Sequence, residues 1–81
     1  MNIPKYKIIY DEIVKLILSN KWPVGSNMKS ENELMKLFGV SRITIRNVLN
    51  ILENEGRIIR SRGKATLILD RLLQNNQKSE I

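Results

Sequence analysis

Arg42 and Arg46 stand four positions apart, with Thr44 between them and Asn47 just beyond. On a helix that spacing turns both guanidiniums toward the same stretch of a partner. A guanidinium fork matches guanine O6 and N7, or a phosphate, and an Asn amide pairs in bidentate fashion with adenine. A Thr offers a hydroxyl to phosphate or a methyl to thymine. The sequence leaves open whether each arginine meets a base or a phosphate. This is chemistry for gripping a polyanion. The chain has no His and no Cys, which removes the commonest general base, the thiolate nucleophile and the usual zinc ligands. Its carboxylates do not cluster as a metal site or an acid–base pair would, so no cofactor is implied and the reading is not that of an enzyme.

Charge placement agrees. The net charge is +6, and residues 42–64 hold Arg42, Arg46, Arg57, Arg60, Arg62 and Lys64 against only Glu53 and Glu55. Most of the excess therefore lies in one stretch, where a polyanion is the natural partner and a merely solvated basic surface is the plainer reading. At 81 residues there is room for one domain and one modest core, and 42% apolar content favours a globular domain over a disordered tail. No apolar run approaches a membrane span and no secretory signal opens the chain, so the expected location is the cytoplasm.

The elements that must position these residues can be read from caps, periods and turn residues. Pro4 suits a helix N-terminus, and Tyr6, Ile9, Ile13, Leu16 and Ile17 recur at helical spacing, which predicts a first helix to about Asn20. Trp22 to Ser26 breaks it, with Trp22 read as a core or capping aromatic, and Asn27 to Lys29 reads as a short strand or an extended link. Tyr6 and Tyr10 read as packing residues with surface hydroxyls. Ser30 and Glu33 form a capping box, Leu34, Leu37 and Phe38 supply an apolar stripe, and Gly39 ends the second helix. Val40 is expected in the buried turn.

Ser41 caps a third helix over about residues 42–55, in which Ile45, Val48, Leu49 and Leu52 fall within an arc of about 100° and must face the core. Ile43 lies outside that arc, suited either to a thymine methyl or to packing on the preceding helix. Asn50, further along, reads as an ordinary solvated residue, because recognition helices work mainly through their N-terminal half. Gly56 stops the helix. Residues 57–61 and 65–69 are β-branched or apolar runs joined by Arg62, Gly63 and Lys64, which predicts a hairpin with a basic, glycine-containing tip. Arg71 to Leu73 suggest a helical turn inside an otherwise polar, linker-like tail over residues 70–81. The predicted fold is mainly α with a small β-hairpin, a winged helix-turn-helix over residues 1–69. Its expected partner is double-stranded DNA, with a protein-interaction or oligomerisation module as the alternative. Ile43 and Ile51 are the only obvious apolar candidates for such an interface.

The chain also resembles the N-terminal DNA-binding domain of GntR-family bacterial transcription regulators. The marks are Y-K-I-I-Y-D-E-I at Tyr6–Ile13, K-W-P-V-G-S at Lys21–Ser26, K-S-E-N-E-L at Lys29–Leu34, F-G-V-S-R-I-T-I-R-N-V-L at Phe38–Leu49, L-E-N-E-G at Leu52–Gly56 and R-G-K-A-T at Arg62–Thr66. The resemblance implies a homodimer on a pseudo-palindromic operator, and a C-terminal domain that senses a small-molecule effector, usually in a repressor. It implies DNA contacts at Ser30, Glu31, Ser41, Arg42, Thr44, Arg46 and Gly63. The residues themselves add Ile43, Asn47, Arg62 and Lys64. Lys29 replaces the proline usual before the Ser-Glu pair, Arg57 stands where an apolar residue is usual and adds charge beside the wing, and Ala65 replaces a second wing glycine. The effector domain would follow residue 70, and the linker-like tail favours an excised domain over a natural short form.

Overall fold

The computed structural model describes residues 2–69. Pro4 is the N-cap of α1 (Lys5–Leu18), its carbonyl accepting the amides of Lys7 and Ile8 at 3.1 and 3.4 Å. Ile9, Ile13 and Ile17 recur every four residues and are buried, while Tyr10 and Val14 pack beside them. The helix ends two residues sooner than its periodicity suggests. Asn20 turns into the left-handed region at φ 66°, and the Trp22 amide folds back onto the Leu16 carbonyl at 3.0 Å. That turn brings Trp22 half-buried onto the core. Tyr6 belongs to the stripe by period but remains exposed.

α2 (Glu31–Phe38) opens on the capping box: the Ser30 hydroxyl accepts the Glu33 amide at 3.1 Å, and the Glu33 carboxylate accepts the Ser30 amide at 2.8 Å. Gly39 closes it in the left-handed conformation. The apolar stripe is Leu34, Met35 and Phe38, not Leu37, which is exposed. Leu37 lies about 100° round the helix from the middle of that group, so period alone misplaces it.

Val40 packs partly into the core, and Ser41 caps α3 (Arg42–Asn54) by accepting the Thr44 amide at 3.3 Å. Ile45, Val48, Leu49 and Leu52 are all buried. α3 packs on α1, α2 and the hairpin at once, which makes it the centre of the fold. Gly56, with φ 79°, turns the chain out of it.

The hairpin pairs β1 (Ile58–Ile59) with β2 (Leu67–Ile68), antiparallel, with Ile58 opposite Ile68 and Ile59 opposite Leu67. Both strands are shorter than the apolar runs, because the backbone finds other partners. The Arg60 amide goes to the Glu53 carboxylate at 3.3 Å, and the Thr66 carbonyl takes the Met28 amide at 2.8 Å. Residues 25–28 thus run along the free edge of β2, with Asn27 bridged to Leu67, and Met28, Ile58 and Ile68 close the core. The tail expected over residues 70–81, including the turn at Arg71 to Leu73, lies outside the described residues.

Candidate nucleic-acid interface

The helix-turn-helix places α3 with one face on the core and its other faces in solvent. Arg42 and Arg46 project from it with side chains 43% and 59% exposed, and Ile43 between them is 73% exposed. Ile43 therefore does not pack on the preceding helix. Asn47 is exposed as well, beside Tyr6, Asn50 and Ile51. Thr44 is half-buried, its hydroxyl 3.2 Å from that of Ser41.

The two arginines converge on α2. Arg42 donates to Glu31 Oε1 at 2.7 Å and to Asn32 Oδ1 at 2.6 Å, while Arg46 Nε donates to Glu31 Oε2 at 3.1 Å. Partial burial works against ionisation of Glu31, but the hydrogen bonds and charges of both arginines outweigh it and hold its carboxyl below the usual range. An acidic side chain on a polyanion-binding face would be repelled by phosphate. Here it sits between two cations and orients them, each through a planar guanidinium held at its nitrogens.

The hairpin tip carries Arg62 and Lys64 around Gly63, all exposed. Gly63 has φ 73° and open space where a Cβ would stand, and the Lys64 amide closes the turn on the Ser61 carbonyl at 3.1 Å. Ala65 needs no positive φ, since Asn20 is the only non-glycine residue with one among the described residues. A groove of about 370 Å³ runs between the wing and the start of α2, lined by Lys29, Ser30, Glu31, Arg60 and Lys64 among others. Ser30, Glu31 and Lys64 thus share one concavity, next to the arginines of α3, while Asn47 lies toward α1.

Three features escape reading along the sequence. Asn32 anchors Arg42. Asn50, expected to be merely solvated, accepts from Arg60 Nη2 at 2.6 Å, and Glu53 accepts from the same guanidinium. Arg57, expected to add charge beside the wing, is instead mostly covered, its side chain 15% exposed and its Nε donating to Glu55 at 3.2 Å. Tyr10 donates to the same Glu55 oxygen, so that its hydroxyl ties α1 to the end of α3. Apart from the Glu55–Arg57 contact, two residues apart, only the pairing of elements reveals these links. The one local signal was the i, i+3 spacing of Asn50 and Glu53 ahead of a cation.

Exposed apolar side chains number more than Ile43 and Ile51. Ile51 is half-buried, whereas Ile3, Ile8, Leu18, Val24, Leu37 and Ile59 are exposed, distributed over several elements. No helix of the described residues is long and apolar enough to cross a membrane, and no group of acidic residues there is arranged to hold a metal ion.

Comparison with known proteins places this arrangement. The chain is 35% identical over 71 residues to the HTH-type transcriptional regulator TreR of Bacillus subtilis strain 168, covering 88% of the chain and 30% of TreR. It is 39% identical over 72 residues to the arabinose metabolism transcriptional repressor of Halalkalibacterium halodurans, covering 89% of the chain and 19% of that protein. It thus spans less than a third of the length of these curated relatives. Among solved structures, the AraR DNA-binding domain in complex with operator ORR3 superposes with a TM-score of 0.78 at 35% identity, over 84% of this chain and 82% of that one. A GntR family transcriptional regulator from Listeria monocytogenes gives 0.83 at 26% identity, over 98% and 73%. The sequence model for bacterial regulatory proteins of the gntR family matches residues 5–68, and with that the chain belongs to the gntR family.

Proposed function

We propose that residues 1–69 form the sequence-specific DNA-binding domain of a bacterial transcription regulator. α3 enters the major groove and the wing, about residues 61–66, meets the adjacent minor groove. The observation that carries this reading is the pair Arg42 and Arg46, exposed on the outer face of α3 and already oriented by Glu31. The relative whose domain is complexed with an operator supplies the partner.

Each residue then has a task. Arg42 and Arg46 reach guanine edges or phosphates, Asn47 pairs with adenine, and Ile43 packs on a thymine methyl. Ser30 and Ser41 stand where the free amides of helix starts meet phosphate, with Thr44 beside them. Arg62 and Lys64 bring cations to the backbone on either side of Gly63, and Glu31 orients the arginines rather than touching DNA. In the complete protein, residues 70–81 lead to a domain that binds a small-molecule effector. Two copies read a pseudo-palindromic operator in the cytoplasm as a metabolite-responsive repressor.

Selection of bound duplexes from a random pool tests the reading. A short recurring half-site containing a guanine is expected. A retained pool as random as the starting one would leave a protein-interaction module as the better account.

A further inference from the structure

The wing has too little pairing to hold its own direction. Ile58 and Ile59 pair with Ile68 and Leu67, the Leu69 amide adds one bond to the Arg57 carbonyl at 2.8 Å, and an isolated hairpin of that size is not stable in water. One edge is secured by the segment before α2: the Gly25 amide donates to the Ile68 carbonyl at 2.8 Å, the Ile68 amide to Ser26 at 3.0 Å and the Met28 amide to Thr66 at 2.8 Å. On the other side the Arg57 amide reaches the Leu52 carbonyl at 2.9 Å at the base of the hairpin, and nearer the tip, among the described residues, the strand is secured at Arg60. Arg60 donates its backbone amide to Glu53 Oε2 at 3.3 Å, its Nε and Nη2 to Glu53 Oε1 at 3.1 and 2.7 Å, and Nη2 again to Asn50 Oδ1 at 2.6 Å. Beyond it, among the described residues, the tip keeps only its own turn, Lys64 to Ser61.

The placement of that clasp matters. Arg42, Arg46, Asn50 and Glu53 follow one another at intervals of four, four and three residues, and lie within about 80° of one another round α3. The wing is therefore fastened to the same edge of the helix that carries the two arginines. We infer that Glu53 and Asn50 are positioning residues which, through the Arg60 guanidinium, fix the angle between wing and α3 so that both grooves of a duplex are engaged together. This inference rests on the DNA-binding reading above.

Charge separates positioning from plain contact. Glu53→Gln removes a negative charge from a face that meets a polyanion, so electrostatics alone makes the variant bind more tightly. Positioning makes it bind about tenfold more weakly, because the wing cations lose their phosphates, with a salt slope shallower by about 2. The test uses a duplex from the selection above. Hydroxyl-radical footprinting reads the minor groove under the wing, dimethyl sulfate protection reads guanine N7 under α3, and thermal melting checks the fold.

Glu53→Gln and Arg60→Lys are both expected to lose the minor-groove protection and keep the major-groove protection. Lysine retains the charge of Arg60 but not its planar fork. Asn50→Ala, at an exposed site, gives the same loss in smaller measure and serves should Glu53→Gln melt early. Tighter binding of Glu53→Gln, or full protection in Arg60→Lys, overturns the inference and makes Arg60 a simple phosphate contact. A wild-type domain that protects neither groove overturns the DNA-binding reading itself, and the clasp with it.

Discussion

Among the described residues Arg46 pairs with Glu31 alone, and its side chain is 59% exposed. Exposed pairs of this kind contribute only about 0–1 kcal/mol to stability. Arg46→Ala is therefore expected to abolish operator binding in a mobility-shift titration while leaving the thermal midpoint nearly unchanged. Early melting would make the residue structural. Acid probes the same contact from the other partner. Arg42 and Arg46 hold the Glu31 carboxyl below its ordinary range against the pull of partial burial, and Arg60 does the same at Glu53. A depressed folded value means that the contribution is complete above the ordinary glutamate range and is lost as pH falls through the lowered values. Stability should thus decline on acidification, and less steeply in the double variant Glu31→Gln, Glu53→Gln. Denaturant midpoints across the acid range measure this, and identical slopes in both proteins would mean that the pairs contribute nothing.

Elements respond to different changes. Leu49 lies on the buried face of α3, 3% exposed, where removing its side chain leaves a cavity. Leu49→Ala is expected to cost ~2–5 kcal/mol by urea unfolding. Gly39 has φ 66° and open space where a Cβ would stand, so Gly39→Ala isolates the backbone penalty of about 1 kcal/mol with no steric clash. A larger loss would mean that the helix-turn-helix angle itself had shifted. These are also the places where the sequence is most legible. Caps and turn glycines act over four residues, so Ser30 with Glu33, Gly39, Ser41 and Gly56 mark the helix ends correctly, and the core face of α3 follows from period alone. Leu37 escapes it, because a period does not say which neighbours will be present. The strands are shorter than their apolar runs for the same reason: Arg60 and Thr66 bond to groups 7 and 38 residues away, Glu53 and Met28. Glu31, Asn32 and Arg42 meet only once α2 crosses α3.

At the scale of the molecule, local contacts become a field. Lys29, Arg42, Arg46, Arg60, Arg62 and Lys64 are gathered along α3, the start of α2 and the wing, with Glu31 and Glu53 set among them. The two carboxylates lower the net charge of this face without moving its cations, so affinity depends on how many guanidiniums and ammoniums actually reach phosphates. If about four to six are neutralised per domain, log K should fall with log salt at a slope of roughly −4 to −5. The slope reports phosphate contacts and not sequence, so it should be alike on the selected half-site and on an unrelated duplex, while the affinities differ. A slope near zero would remove the phosphate contacts and return the domain to protein–protein chemistry. A steep slope with equal affinity for both duplexes would keep the cations and discard base reading by Arg42, Arg46 and Asn47. One salt titration on two duplexes thus tests the charge layout and the recognition helix separately, because the first sets the slope and the second sets only the offset between the lines.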